Sequence, residues 1–407
     1  MDAIVAKKKP PEKPRVDARA IMEQLNADAA KLNFWLRTEM NAPAQRAWFT
    51  DPGGETGGGE LLRGGRVSAN QLKAQPCLWR WQDYGPYLER ISKIAAEADI
   101  SPIEFADRQS ILLVNPGLGG RLQITSTMRT AISVYVPKDK APAHIHSANA
   151  SRTILTDRGG YTNVEGERCE CRRGDIIWTP NGTWHDHGND DDEPVMWIDM
   201  LDWPLLEYLD AAWVDLDYPA ASHSNAAVQS TAHTDGYSTR LYGAGGLKPL
   251  FVSHQRGWGD DPTPMIHFKG SDVREALERL KAEAGDPYEG IVMQFVNPVT
   301  GRSVYPTMNY QAQLLRAGEA TRPKRETSST FVIVMEGEGY SEVGGKRFDW
   351  TRNDVMVMPN FLWRRHVNTG KSDAVLYTVS DAALLKNIGQ YRAQGKLADG
   401  SVTQIVA

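Results

Sequence analysis

Residues 159–189 read GGYTNVEGERCECRRGDIIWTPNGTWHDHGN, and residues 338–368 read EGYSEVGGKRFDWTRNDVMVMPNFLWRRHVN. The two segments align without a gap. Tyr161 falls on Tyr340, Asp175 on Asp354, Pro180 on Pro359, Trp184 on Trp363, His187 on His366 and Asn189 on Asn368. Self-similarity on this scale means one structural unit used twice. The unit's texture is short alternating runs such as LQITSTMRTAISVYV and DIIWTP, broken by Gly, Pro and Asn, which predicts the strands of a sandwich or barrel. Upstream, VNPGLGG (114–120) echoes VNPVTGR (296–302), and Thr127-Met128 echoes Thr307-Met308. The helical pattern of residues 86–98 has a counterpart at 271–285. Two β-units, each introduced by a helix, are expected.

The rest of the chain fits around this duplication. Its 407 residues suffice for two domains. Apolar residues make up 41% and charged residues 24%, an ordinary globular composition. A net charge of −5 gives no bulk basicity for nucleic acid, and no apolar run approaches a membrane span. The stretch MDAIVAKKKPPEKPRVDAR reads as a solvated basic tail rather than a signal peptide. Three cysteines, Cys77, Cys169 and Cys171, make no framework of bridges, so a reducing cytoplasm is expected. The CEC pair reads as two residues on one strand face. ARAIMEQLNADAAKLNFWLRTEM and PYLERISKIAAEADIS carry helical spacing. The glycine-rich stretch 51–65 lacks the lysine and context of a phosphate loop. The expected division is a disordered tail (1–20), a helical N-terminal region with the glycine-rich loop (21–105), a first barrel (106–220), a linker and helix (221–290), a second barrel (291–385) and a C-terminal tail (386–407).

Chemistry concentrates in the first unit. His144 and His146 are two apart in APAHIHSANASR, so on a strand they point the same way. His185 follows 39 residues after His146, inside a string of Gly174, Pro180, Gly182, His185 and Asn189. Gly174-Asp175 forms a turn that starts a strand. Pro180 and Gly182 then turn the chain so that the next strand brings His185 to face the pair. A His-x-His alone is weak evidence for a metal; followed by this string it is strong. The gapless alignment sets Pro323 and Arg325 against His144 and His146, and Arg364 against His185. The second unit is therefore expected to hold no metal and to serve packing and assembly.

These motifs, with NPGLGG and WIDMLD, resemble the cupin superfamily in its duplicated, bicupin form. Within it they resemble the gentisate 1,2-dioxygenase, salicylate 1,2-dioxygenase and 1-hydroxy-2-naphthoate dioxygenase group, over roughly residues 85–385. The resemblance implies a mainly β fold of two double-stranded β-helix (jelly-roll) barrels with N-terminal and inter-barrel helices. It implies one Fe(II) per subunit on His144, His146 and His185, and O2-dependent cleavage of a hydroxylated aromatic acid such as gentisate or a 5-substituted salicylate. It also implies a cytoplasmic homotetramer. Most cupins add a glutamate ligand four or five residues after the second histidine; here Ala150 and Ser151 stand there, as in this group. Three neutral imidazoles leave the full metal charge to attract a chelating carboxylate and ortho oxygen.

By the same resemblance Arg108 and Arg152 match arginines that recognise the substrate carboxylate. His187 matches a proton acceptor for the substrate hydroxyl, and Asp199 an aspartate able to orient a histidine. Arg129, Ala131 and Ser133 fall where relatives carry an aromatic, a glycine and a glutamine against the substrate. If Arg129 points inward it adds positive charge suited to an electron-poor substituent such as nitro. The competing readings are a 1-hydroxy-2-naphthoate dioxygenase, another metal cupin enzyme, and a non-catalytic ligand-binding or storage bicupin. The kept histidines and the missing glutamate favour the ring-cleaving enzyme.

Overall fold

The computed structural model describes residues 17–37, 73–97, 110–216, 236–255 and 262–405. The basic N-terminal stretch to residue 16, the glycine-rich loop and Arg108 lie outside the described residues.

Alternation of apolar and polar residues builds two sandwiches of antiparallel sheets. In the first, a seven-stranded sheet runs in the order Phe34–Arg37, Ser110–Leu113, Arg129–Tyr135, Val195–Leu201, Ala150–Ile154, Ile176–Thr179 and His267–Phe268. It faces a five-stranded sheet ordered Val214–Asp215, Lys140–His146, His185–Gly188, Tyr161–Val164 and Glu167–Glu170. The second sandwich has two six-stranded sheets with the same order of corresponding strands. Along Arg129–Tyr135 the faces separate cleanly. Tyr135 packs inside the first barrel with Ala141, Ile154, Val164, Ile177 and Trp197. Ile132 and Val134 face the other way, into a larger core shared with Tyr305, Tyr310, Phe331 and Val357 of the second barrel. Cys169 and Cys171 are both buried in the first barrel's interior, as one strand face requires.

The barrels exchange strands. Cys77–Trp79, which precedes the first barrel in the chain, pairs with Val355–Met358 of the second. His267–Phe268, which precedes the second, pairs with Ile176 and Ile177 of the first. The aligned aspartates explain the arrangement. Gly270 N–H, at the start of the helix Gly270–Leu280, donates to Asp175 Oδ1 at 2.8 Å. Trp81 N–H, at the start of the helix Trp81–Glu97, donates to Asp354 Oδ1 at 2.7 Å. Each barrel's turn aspartate thus caps the helix that introduces the other barrel, satisfying an orphan helix N–H and meeting the positive helix end. The repeated threonines link the barrels again: Thr127 Oγ1 donates to Asp381 at 2.8 Å and Thr307 Oγ1 to Asp202. Gly270 is needed where it stands, because a Cβ there would lie 2.4 Å from the backbone of Gly174.

Three expectations change. The first helix stops at Lys31, and Phe34–Arg37 is a strand beside Ser110–Leu113; Asn33 takes a positive φ of 60° between them, which ends the helix. The segment expected as a C-terminal tail carries strands Ala393–Lys396 and Val402–Ile405, which extend the sheet beside Lys324–Glu326. The gapless alignment also slips by one residue upstream of Tyr161, in the loop after the strand Ala150–Ile154. Lys324 pairs with Arg364 as His144 pairs with His185. Lys324 and Glu326, not Pro323 and Arg325, therefore occupy the positions of His144 and His146.

Candidate active site

The strand Lys140–His146 and the strand His185–Gly188 pair with His185 directly opposite His144. Gly182, at φ 67°, and the bond from Thr183 N–H to the Pro180 carbonyl make the turn that delivers His185. Ring centroids of His144 and His185 lie 4.1 Å apart, and those of His146 and His185 lie 4.7 Å apart. All are buried.

A common hydrogen-bond pattern fixes these three rings. Nδ1–H of His144 donates to the Pro142 carbonyl at 3.0 Å, that of His146 to the Ala148 carbonyl at 2.9 Å and that of His185 to the Thr183 carbonyl at 2.9 Å. A carbonyl can only accept, so each Nδ1 carries the proton and each Nε2 bears the lone pair. This is the outer-shell arrangement of metal-binding imidazoles. Among the described residues His185 Nε2 is buried without a hydrogen-bond partner, which costs about 1–3 kcal/mol unless a ligand meets it. Burial first, then the neighbouring His144 and His146, holds the His185 imidazole well below its usual pKa. A neutral imidazole is the ligand form, so the residues fit a metal ion.

His187 joins the cluster differently. Its nitrogens lie close enough to those of His144 and His185 for the three to form a ligand group, all within 4.8 Å. Both its nitrogens are engaged, however. Arg152 Nη2 donates to His187 Nε2 at 2.8 Å, and Nδ1 meets Thr162 Oγ1 at 3.0 Å. Since arginine only donates, Nε2 is an acceptor and Nδ1–H faces Thr162. Distance thus groups His187, and not His146, with His144 and His185, whereas hydrogen bonding sets His187 apart and gives His146 the same carbonyl-held ring as the other two.

Arg152 is buried at the centre of a polar chain. Nη1 donates to Thr179 Oγ1 at 3.1 Å and Nε faces Asp199 Oδ1 at 3.3 Å. Asp199 also accepts from Ser133 Oγ at 2.6 Å and from Trp197 Nε1 at 3.1 Å. Asp199 thus orients Arg152, where a histidine was expected as its partner. Ser133 and Ala131 share one strand face, and Ala131 packs with Leu112 and Leu122 in a small buried apolar cluster.

Arg129 begins the same face, so the strand directs it inward, but its charge is compensated. Nη2 reaches both carboxylate oxygens of Glu207 at 3.2 Å, Nε donates to the Leu122 carbonyl at 2.8 Å, and the guanidinium lies 5.8 Å from the Trp203 ring. Trp203 and Glu207 lie on one face of the short helix Trp203–Tyr208, and the Trp203 ring stands 6.4 Å from that of His146. Sequence reading missed both residues. The i, i+4 spacing of Trp203 and Glu207 after WIDMLD was the available signal.

The second barrel fills the corresponding position with ions. Arg364 donates to Glu326 and, at 2.7 Å, to Thr330 Oγ1; Tyr391 OH donates to Glu326 Oε2 at 2.7 Å; Lys324 lies 3.5 Å from Glu326. Burial alone would raise the Glu326 pKa, but Arg364 and Lys324 outweigh it and hold the carboxyl well below its usual range.

Comparison with known proteins agrees with this geometry. The cupin domain family matches residues 131–201 and 313–380, one match in each barrel. A 5-aminosalicylate 1,2-dioxygenase of Comamonas is 35% identical over 80% of this chain and 83% of its own length. A gentisate 1,2-dioxygenase of Aquipseudomonas alcaligenes is 32% identical over 78% of this chain and 86% of its own. The crystal structure of the salicylate 1,2-dioxygenase of Pseudaminobacter salicylatoxidans superposes with a TM-score of 0.69 at 26% identity, covering 95% of this chain and 99% of that one. A bicupin with relatives this similar over most of their length belongs to the gentisate and salicylate 1,2-dioxygenase family of oxidoreductases.

Proposed function

We propose that the protein is an Fe(II)-dependent dioxygenase that adds both atoms of O2 to a 2-hydroxybenzoate-type acid and opens its ring between the carboxyl-bearing and hydroxyl-bearing carbons. The substrate is gentisate or a salicylate substituted at position 5. One ferrous ion per chain sits on Nε2 of His144, His146 and His185. The observation that carries this is the shared Nδ1–carbonyl pattern, which puts the lone pair of each of these three neighbouring rings on Nε2, the ligand atom. Resemblance alone supports the homotetramer, and the cysteine usage the cytoplasm.

Iron, when bound, supplies a Lewis acid and an electron relay between the ring and O2. The chain supplies the rest. Arg152 recognises the substrate carboxylate. Asp199 and Thr179 hold Nε and Nη1 of Arg152, so Nη2 alone changes partner, leaving His187 for the incoming acid. That exchange releases the lone pair on His187 Nε2 to take the proton of the ortho hydroxyl, while Thr162 keeps Nδ1 protonated. Ala131, Leu112 and Leu122 make the apolar wall beside the ring.

The test is anaerobic loading with Fe(II), then addition of O2 with gentisate, salicylate, 5-aminosalicylate, 5-nitrosalicylate and 1-hydroxy-2-naphthoate in turn. The expected result is one O2 consumed per acid and a ring-opened keto diacid from the 5-substituted benzoates. A hydroxylated product with its ring intact would overturn the reaction class. Preferred turnover of the naphthoate would move the protein to the neighbouring activity.

A further inference from the structure

Glu207 has no role in the reading above, yet it stands one residue contact from the histidine cluster, through Trp203, with capacity to spare. Its carboxylate receives Arg129 Nη2 on both oxygens and Trp203 Nε1 on Oε1. An ionised carboxylate has about four acceptor positions, so Oε2 can accept once more. The side chain is 24% exposed, enough for a small molecule to reach it.

Position gives that acceptor a meaning. Arg152 pairs across the sheet with Asp199, and Asp199 with Ala131. Arg129 is two residues along from Ala131 on the same face, roughly 7 Å, and the strand of Asp199 sets it roughly 10 Å across the sheet from Arg152. Both are long side chains that reach inward from those positions. A benzoate held on Arg152 therefore has the Arg129–Glu207–Trp203 group on the side of its far substituent. Trp203 in turn borders His146, so this group belongs to the metal-bearing pocket.

Resting on the proposed reaction, we propose that Glu207 decides which ring substituent the pocket accepts. Its carboxylate cancels the charge of Arg129 and offers a hydrogen-bond acceptor, so acids bearing an amino or hydroxyl donor at position 5 are taken ahead of acids bearing a nitro group. Arg129 alone would order them the other way. Paired with Glu207 it serves to hold the carboxylate in place, with Trp203 gripping Oε1 from the adjacent helix turn.

The test compares kcat/KM on 5-aminosalicylate and 5-nitrosalicylate for the wild type, Glu207→Gln and Arg129→Gln. Glu207→Gln keeps the shape, removes the charge and exposes Arg129; the amino-to-nitro ratio should fall roughly ten- to hundredfold. Arg129→Gln should raise the ratio. Metal content by elemental analysis checks that each variant is folded. If Glu207→Gln does not fold, Glu207→Asp, which retracts the carboxylate by one methylene, should lower the ratio in the same direction. An unchanged ratio in the folded Glu207 variant overturns the proposal. Anaerobic calorimetry with the same two acids separates it from the reaction itself. A wild type that binds them in the expected order but opens neither ring refutes the reaction and supports the role of Glu207. Ring opening with a ratio indifferent to Glu207 refutes that role alone.

Discussion

At the scale of single residues, the site divides by what each side chain's second hydrogen bond does. His144, His146 and His185 spend theirs on backbone carbonyls two residues away in the chain. His187 spends both on side chains, Arg152 and Thr162. This makes opposite forecasts for two substitutions. His185→Ala should abolish both metal binding and turnover. His187→Gln should keep the metal and lower kcat by about 10²–10⁴-fold, the usual loss of a proton acceptor; metal lost from that variant would make His187 a ligand. Arg152→Ala removes a charge-assisted bond of about 1.5–3 kcal/mol to the acid, so KM should rise roughly ten- to hundredfold while metal affinity measured without substrate stays the same. The histidines were legible in sequence because their spacing implies strands and a turn. The partners of Asp199 and Arg129 were not, because Arg152 and Glu207 reach them across the sheet or from a helix dozens of residues away.

At the scale of elements, the duplication carried most of the fold, and its failure is instructive. An alignment anchored on residues 159–189 holds wherever the two copies have equal length. The first copy has one residue more between Ile154 and Tyr161 than the second has between Val334 and Tyr340, so upstream of that loop the offset is 180, as Thr127 and Thr307 already show and the pairing of Lys324 with Arg364 settles. The correction changes the chemistry. Pro323 and Arg325 would be two residues that merely lack ligands, whereas Lys324, Glu326 and Arg364 form a buried ionic group. Removing one partner of a buried pair costs about 3–5 kcal/mol. Glu326→Ala should therefore lower the unfolding free energy by about that amount, read by denaturant titration, with the first barrel's metal content unaffected in the folded fraction. The exchange of strands between barrels also escaped sequence reading. Asp175 and Asp354 are visible as repeated turn residues, but nothing local says that each caps the other barrel's helix.

At the scale of the molecule, the second barrel is a partner rather than a duplicate. Tyr305 OH donates to the Ala150 carbonyl at 2.6 Å and Tyr310 OH to Ser151 Oγ at 2.9 Å, bracing the strand that follows the His-x-His pair. Loss of the second barrel's packing should therefore be felt at the metal site. Acid provides a graded probe of that packing. Burial, with a smaller effect from Arg364, lowers the His366 pKa from 6.5 to about 4. A depressed pKa gives stability that is present above the unfolded value and lost as pH falls through the folded one. Between pH 6.5 and about 4, protonation of His366 should thus remove about 3 kcal/mol. His366→Gln should flatten the fall in thermal midpoint over that window; a wild-type slope in the variant would assign acid lability to other groups.

The central claim is that one three-histidine iron site per chain opens the ring with both atoms of O2. Its most direct measurement is the mass of the product formed by the Fe(II)-loaded protein from 5-aminosalicylate or gentisate under isotopically heavy O2, with metal content measured on the same sample. The expected result is a ring-opened diacid carrying two heavy oxygens and one iron per chain. A product with one heavy oxygen and an intact ring, or close to two irons per chain, would contradict it.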